Sequence, residues 1–127
     1  MDATLSREER MRSKRRLERL FKEGRGGFVY PIRYICLSDD GSPDAADAQR
    51  PACVLFSTPK KFHKRANKRN LLRRRMREAY RLNKSVLASA GAGGVDLALI
   101  YSVKDVADYK RIENAVKRIL SQIVERM

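Results

Sequence analysis

The stretch KRANKRNLLRRRMREAYR, Lys64 to Arg81, crowds lysines and arginines together with Glu78 as its only acid. Like charges four apart on a helix, such as Arg69 with Arg73 and Arg73 with Arg77, repel by roughly a few tenths of a kcal/mol per pair. Read as a helix over Ala66 to Lys84, the segment separates into two surfaces. With Leu72 set at zero and about 100° per residue, Met76 falls near 40°, Ala79 near 340° and Tyr80 near 80°, an apolar stripe that can pack on a sheet. On the same wheel Arg73, Lys84, Arg77, Asn70, Arg81 and Arg74 lie between about 100° and 200°. A helix held by its stripe offers guanidinium forks to phosphates at fixed spacing, which a basic tail cannot do. A merely solvated face mixes both signs, and this one does not.

The preceding PKKFHKRA, Pro59 to Ala66, extends the positive surface to the helix entry. The polyanion-binding candidates are therefore Lys60, Lys61, Lys64, Arg65, Lys68, Arg69, Asn70, Arg73, Arg74, Arg77 and Arg81. Phe62 and His63 are candidates for stacking on a base, against a core role for Phe62 and a plain surface role for His63. A lone histidine cannot supply a pair for acid/base chemistry, and no cysteine or carboxylate stands at metal-ligand spacing from it. Asp39, Asp40, Asp44 and Asp47 sit in a turn-rich segment, DDGSPDAADAQRP, rather than in a two-metal nuclease cluster. The glycines at 24–27 and 91–94 carry no GxxxxGK[ST] and read as turns. No catalytic or metal-binding residue is expected.

The whole chain agrees with a nucleic-acid partner. It has 127 residues, 29 Lys+Arg against 15 Asp+Glu and a formal charge of +14, a balance that favours a polyanion through counterion release. At 43% hydrophobic residues, with four Phe and five Tyr, it has enough apolar material for one folded domain spanning 1–127. Neither a secretory signal nor a membrane span is readable, so a cytoplasmic location is expected. Cys36 and Cys53 form no CxxC and read as small buried hydrophobes; a disulfide would require their strands to be neighbours.

Along the chain, Ser6 to Gly24 reads as a basic helix seated by Leu17, Leu20 and Phe21 and ended by glycine. Phe28 to Ser38 reads as a strand starting near Pro31, with Ile32, Tyr34 and Cys36 on one face and a further division of the region left open. Residues 39–51 form an exposed acidic loop. Ala52 to Thr58 and Val95 to Ser102 are further strands, the second apolar enough for the sheet centre. Asp108 caps a last helix with Ile112, Val116, Ile119 and Ile123 on its buried side. The sum is an α+β fold, α-β-β-β-α-β-α, with helices packed on a small mixed sheet.

These residues resemble the protein subunit of bacterial ribonuclease P. The resemblance is carried by Ser57 with Lys60 and Lys61, then Arg69-Asn70, Arg73-Arg74 and Arg77-Glu78-Ala79-Tyr80, with LFKEG near the N-terminus. It implies a two-layer sandwich around a four-stranded sheet with a left-handed βαβ crossover, the ribosomal protein S5 domain 2-like fold. It implies a non-catalytic RNA-binding subunit, monomeric when free, whose partners are the catalytic RNA and precursor tRNA. The RNA then removes the 5′ leader with Mg²⁺ that it mainly binds itself. The basic residues named above would face the ribozyme. A leader cleft would be formed by Leu17, Leu20 and Phe21 over a floor with Ile32 and Tyr34. Leu71, near 260° on the same wheel at about 100° per residue, stands where the family usually has a second arginine. Arg75, near 300° by the same rule of about 100°, is the nearby substitute. Leu17 replaces a common phenylalanine, exchanging stacking for apolar packing. The alternatives are a structural RNA-binding protein, such as a ribosomal one, and, more distantly, an autonomous nuclease.

Overall fold

The computed structural model describes residues 14–37, 52–89 and 95–125. The expected acidic loop, 39–51, and the part of the expected N-terminal helix before residue 14 lie outside the described residues. The elements run α1 (Lys14–Glu23), β1 (Arg25–Val29), β2 (Ile32–Leu37), β3 (Cys53–Ser57), α2 (Ala66–Asn83), α3 (Ser85–Ser89), β4 (Asp96–Tyr101) and α4 (Tyr109–Glu125). The order follows the expected one, with α3 as an added short turn of helix. The open question around Phe28 resolves into a hairpin. β1 and β2 pair antiparallel about a tight connection at Tyr30-Pro31, whose peptide bond is cis.

Gly26 and Gly27, expected in a turn, belong to β1. The reason lies across the ladder, where Gly27 faces Tyr34. A Cβ at Gly27 would lie 2.6 Å from the Tyr34 hydroxyl and 2.7 Å from two ring carbons. Glycine is therefore what lets a tyrosine ring lie beneath an edge strand.

The sheet order is β1-β2-β4-β3, with β2 and β4 antiparallel and β3 and β4 parallel. β4 lies between the strands carrying Cys36 and Cys53, and the two do not form a disulfide. Antiparallel neighbours connect through hairpins, whereas the parallel pair needs a long crossover, and α2 with α3 supplies it. On one face, Ile32, Tyr34, Val54, Leu97, Leu99 and Tyr101 meet Leu72, Met76, Ala79 and Tyr80 of α2 and the apolar side of α4. The stripe read from the wheel is the buried stripe. On the other face lies a smaller cluster of Leu20, Ile35 and Ala98, with Leu37, Leu55 and Ile100 partly buried against it. The sandwich is thus the sheet with α2 and α4, and α1 covers only part of the opposite face.

Asp108 caps α4 as expected, its Oδ1 accepting from the Arg111 N–H at 2.9 Å. Asp108→Ala should cost about 1 kcal/mol by leaving that N–H without its side-chain acceptor. Thermal melts would show the loss, and an unchanged melting temperature would mean that the loop before α4 recaps the helix.

Candidate nucleic-acid interface

The loop from Thr58 to Arg65 leads the chain from β3 into α2, and a buried histidine holds it. His63 is 7% exposed, its Nε2 lies 2.9 Å from the Val103 carbonyl oxygen, and its ring packs edge-on against Tyr101. A surface or base-stacking role for His63 is therefore corrected. With a carbonyl as its partner, Nε2 must carry the proton. Nothing local in the chain signals this burial, because a histidine between lysines looks solvated. Phe62 is half-buried, with the Lys61 ammonium 5.0 Å from its ring centroid. Tyr101 extends the anchor: its hydroxyl donates to the Asp105 carbonyl at 2.5 Å and accepts from the Ala107 N–H at 2.8 Å. Burial, foremost, pushes its phenol above the usual range.

From this anchored loop the basic candidates divide by exposure. Lys60, Lys61, Lys64, Arg65, Lys68, Asn70, Arg74 and Arg77 are exposed. Arg69, Arg73 and Arg81 are half-buried and bonded to the protein. Arg69 Nη1 donates to the carbonyls of Lys64 and His63 at 2.7 and 3.1 Å. Arg73 Nη2 donates to Thr58 Oγ1 at 3.0 Å. Arg81 is paired with Glu78 through two hydrogen bonds, which hold the Glu78 carboxyl below the usual carboxylate range. A guanidinium has five N–H donors, so Arg69 and Arg73 can fix the interface and still face a phosphate, while the charge of Arg81 is already answered. The first turn of α2 has no acid, and Arg65 at its N-cap makes no capping bond. The positive end of the helix dipole therefore adds to the surrounding charge.

Leu71 is half-buried beside this surface. Arg75 Nη1 donates to the Ala107 carbonyl at 2.6 Å and ties α2 to the loop before α4.

The second candidate surface, under α1, is rearranged. Leu20 is fully buried and Leu17 half-buried, while Phe21 is 48% exposed. Ile32 and Tyr34 do not join them. Both are fully buried on the opposite face, where the Tyr34 hydroxyl donates to Gln122 Oε1 of α4 at 2.6 Å. Side chains alternate along a strand, so a floor assigned one residue out lands on the wrong face. The residues of β2 that face α1 are Arg33, Ile35 and Leu37. Three cross-strand rows make this face: Gly26, Ile35, Ala98 and Leu55 beneath α1, then Phe28, Arg33, Ile100 and Ser57 beyond it on one side, and Leu37, Asp96 and Cys53 on the other. In the second row Phe28 and Arg33 are exposed and Ile100 and Ser57 half-buried. Arg16 of α1 is paired with the buried Asp96 at the start of β4, which fixes the helix over its part of the sheet. The open row ends beside Thr58, against which Arg73 lies. The two surfaces therefore meet.

Comparison with known proteins bears directly on this arrangement. The family model for ribonuclease P matches residues 5–124. The chain belongs to the ribonuclease P protein family. The ribonuclease P protein component of Porphyromonas gingivalis is 32% identical over 122 residues, covering 94% of this chain and 85% of that one. That of Chlorobaculum tepidum is 33% identical over 132 residues, covering 94% and 82%. The ribonuclease P protein of Thermotoga maritima superposes with a TM-score of 0.70 at 23% identity, covering 90% of this chain and 96% of that one. The Staphylococcus aureus protein gives 0.70 at 17% identity, covering 91% and 94%. These two likenesses speak to the fold. Membership makes the chain a protein subunit of ribonuclease P, a ribonucleoprotein of tRNA processing, and the ribosomal reading is not favoured. An RNA partner follows from it. Among the described residues no helix is long and apolar enough to cross a membrane.

Proposed function

We propose that this chain grips the catalytic RNA of ribonuclease P with the exposed side of α2 and its entry loop, and guides the 5′ leader of precursor tRNA along the open face beside α1. The observation that carries this reading is the meeting of the two surfaces at Thr58 and Arg73. A positive surface anchored by His63 runs into a sheet row that is half apolar, with Phe28 and Ile100, and carries the exposed Arg33. Positive charge tracks a backbone, and apolar side chains between charges suit unstacked bases. In this reading the leader lies on Arg33 and Ile100 with Phe21 at its side, in place of Ile32 and Tyr34.

The chain contributes binding and orientation, and the RNA carries the bond-breaking chemistry. Among the described residues no three His, Cys, Asp or Glu side chains come together as a metal site. The Mg²⁺ implied by the family resemblance fits the RNA better than this protein. A reducing cytoplasm suits Cys36 and Cys53, which form no disulfide with each other.

The test is reconstitution with a bacterial ribonuclease P RNA and a precursor tRNA at low Mg²⁺. Added protein should stimulate release of the mature 5′ end, and Arg33→Ala should reduce the preference for precursor over mature tRNA. Cleavage no faster than with RNA alone would defeat the proposal.

A further inference from the structure

The open row ends at β1 in an aromatic cluster, beyond the Arg33 and Ile100 contacts assigned to the leader above. Phe28, on an edge strand, is 54% exposed, and Tyr30 beside it is 36% exposed. Their rings meet edge to face with centroids 6.4 Å apart. Tyr30 is held from two more sides. The Arg111 guanidinium lies 4.5 Å from its ring centroid, and its hydroxyl donates to Asp105 Oδ2 at 2.8 Å. One exposed aromatic residue needs no explanation. A pair fixed in place on an edge strand is different, because exposed apolar edges invite aggregation and are normally blunted.

The surroundings select the occupant. Phe28 stands directly opposite Arg33 across the ladder, on the face that carries the open row. Arg33 makes no ion pair among the described residues, and Asp105, the acid at this cluster, accepts the Tyr30 hydroxyl. An exposed aromatic face beside unneutralised guanidinium is the arrangement that receives an unstacked base with its phosphate. Three strand spacings of about 4.8 Å place this position roughly 14 Å from Ser57, at the far side of the sheet from α2.

We propose that Phe28, flanked by Arg33 and backed by Tyr30, is a base-stacking position for single-stranded RNA at the β1 edge. Its occupant is the distal part of the 5′ leader, after the leader has crossed the open row. The inference rests on the leader-guiding function proposed above and adds a second, distance-dependent site to it.

The test uses holoenzyme assembled from the protein and a bacterial ribonuclease P RNA, with precursor tRNAs of graded leader length. Phe28→Ala should weaken binding of long-leader precursor by roughly fivefold or more, the lower end of what loss of one base stack produces. Short-leader precursor should bind as it does to the wild-type holoenzyme, and Phe28→Tyr should restore the long-leader advantage. The chain has no tryptophan, so Phe28→Trp provides a single reporter whose fluorescence should change with long leaders and not with short ones. Equal weakening for both lengths, or a reporter indifferent to length, overturns the proposal while wild-type stimulation of cleavage stands. If wild-type protein gives no stimulation, the leader-guiding function fails and this site fails with it.

Discussion

Alanine at both Arg74 and Arg77 is expected to lower affinity for the ribonuclease P RNA by on the order of a hundredfold, about tenfold for each charge-assisted hydrogen-bonding group removed. Both side chains are exposed on α2, on the side away from Leu72, Met76, Ala79 and Tyr80, so the fold should be untouched. The slope of log affinity against log salt should fall by about two, one per phosphate neutralised. Lysine at both positions should keep the slope and recover only part of the affinity, because an ammonium supplies charge without the planar fork. Arg73→Ala cannot serve as the same test, since it also removes the bond to Thr58 that joins β3 to α2. Binding titrations at several salt concentrations would decide, and an unchanged slope for the double alanine variant would remove α2 from the interface.

The two-sided character of α2 was legible because a helix spreads its residues around an axis, so apolar and basic positions about 100° apart separate on the wheel. Leu72 and Arg73 are neighbours in sequence with opposite fates, and periodicity alone shows it. The floor of the cleft was not legible. β2 reads IRYICL, apolar at Ile32 and Tyr34 but also at Ile35 and Leu37, because a strand covered by helices on both sides has lost the alternation that distinguishes its faces. What selects the face is the approach of α1, where a Cβ on Gly24 would come within 2.6 Å of Ile35 Cγ2. That is a tertiary fact. His63 was missed for a related reason: its partner, the Val103 carbonyl, is 40 residues away. The β1 glycines were misread because glycine marks turns far more often than it marks a strand lying over a ring.

Gly27→Ala is expected to destabilise the protein by about 2 to 4 kcal/mol, combining overpacking with the strain on a partly buried hydrogen bond. The new methyl would sit within 2.7 Å of three atoms of the Tyr34 side chain. The ring cannot yield easily: it is fully buried, and its hydroxyl is bonded to Gln122. β1 could lift away instead, but that breaks its ladder with β2, the one strand it pairs with. The two positions should therefore be energetically coupled. In a Tyr34→Leu background, where the ring is gone, Gly27→Ala should cost little, giving an interaction energy of about 2 kcal/mol in a double-mutant cycle. Denaturant melts of the four proteins measure it, and an equal cost in both backgrounds would place the strain elsewhere. The same residue bears on RNA binding, because Tyr34 belongs to β2, whose other face carries Arg33 and Ile35. A displaced Tyr34 should therefore tilt that floor, and Gly27→Ala holoenzyme should lose leader discrimination before it loses affinity for the ribozyme, whose binding surface on α2 is anchored independently through His63.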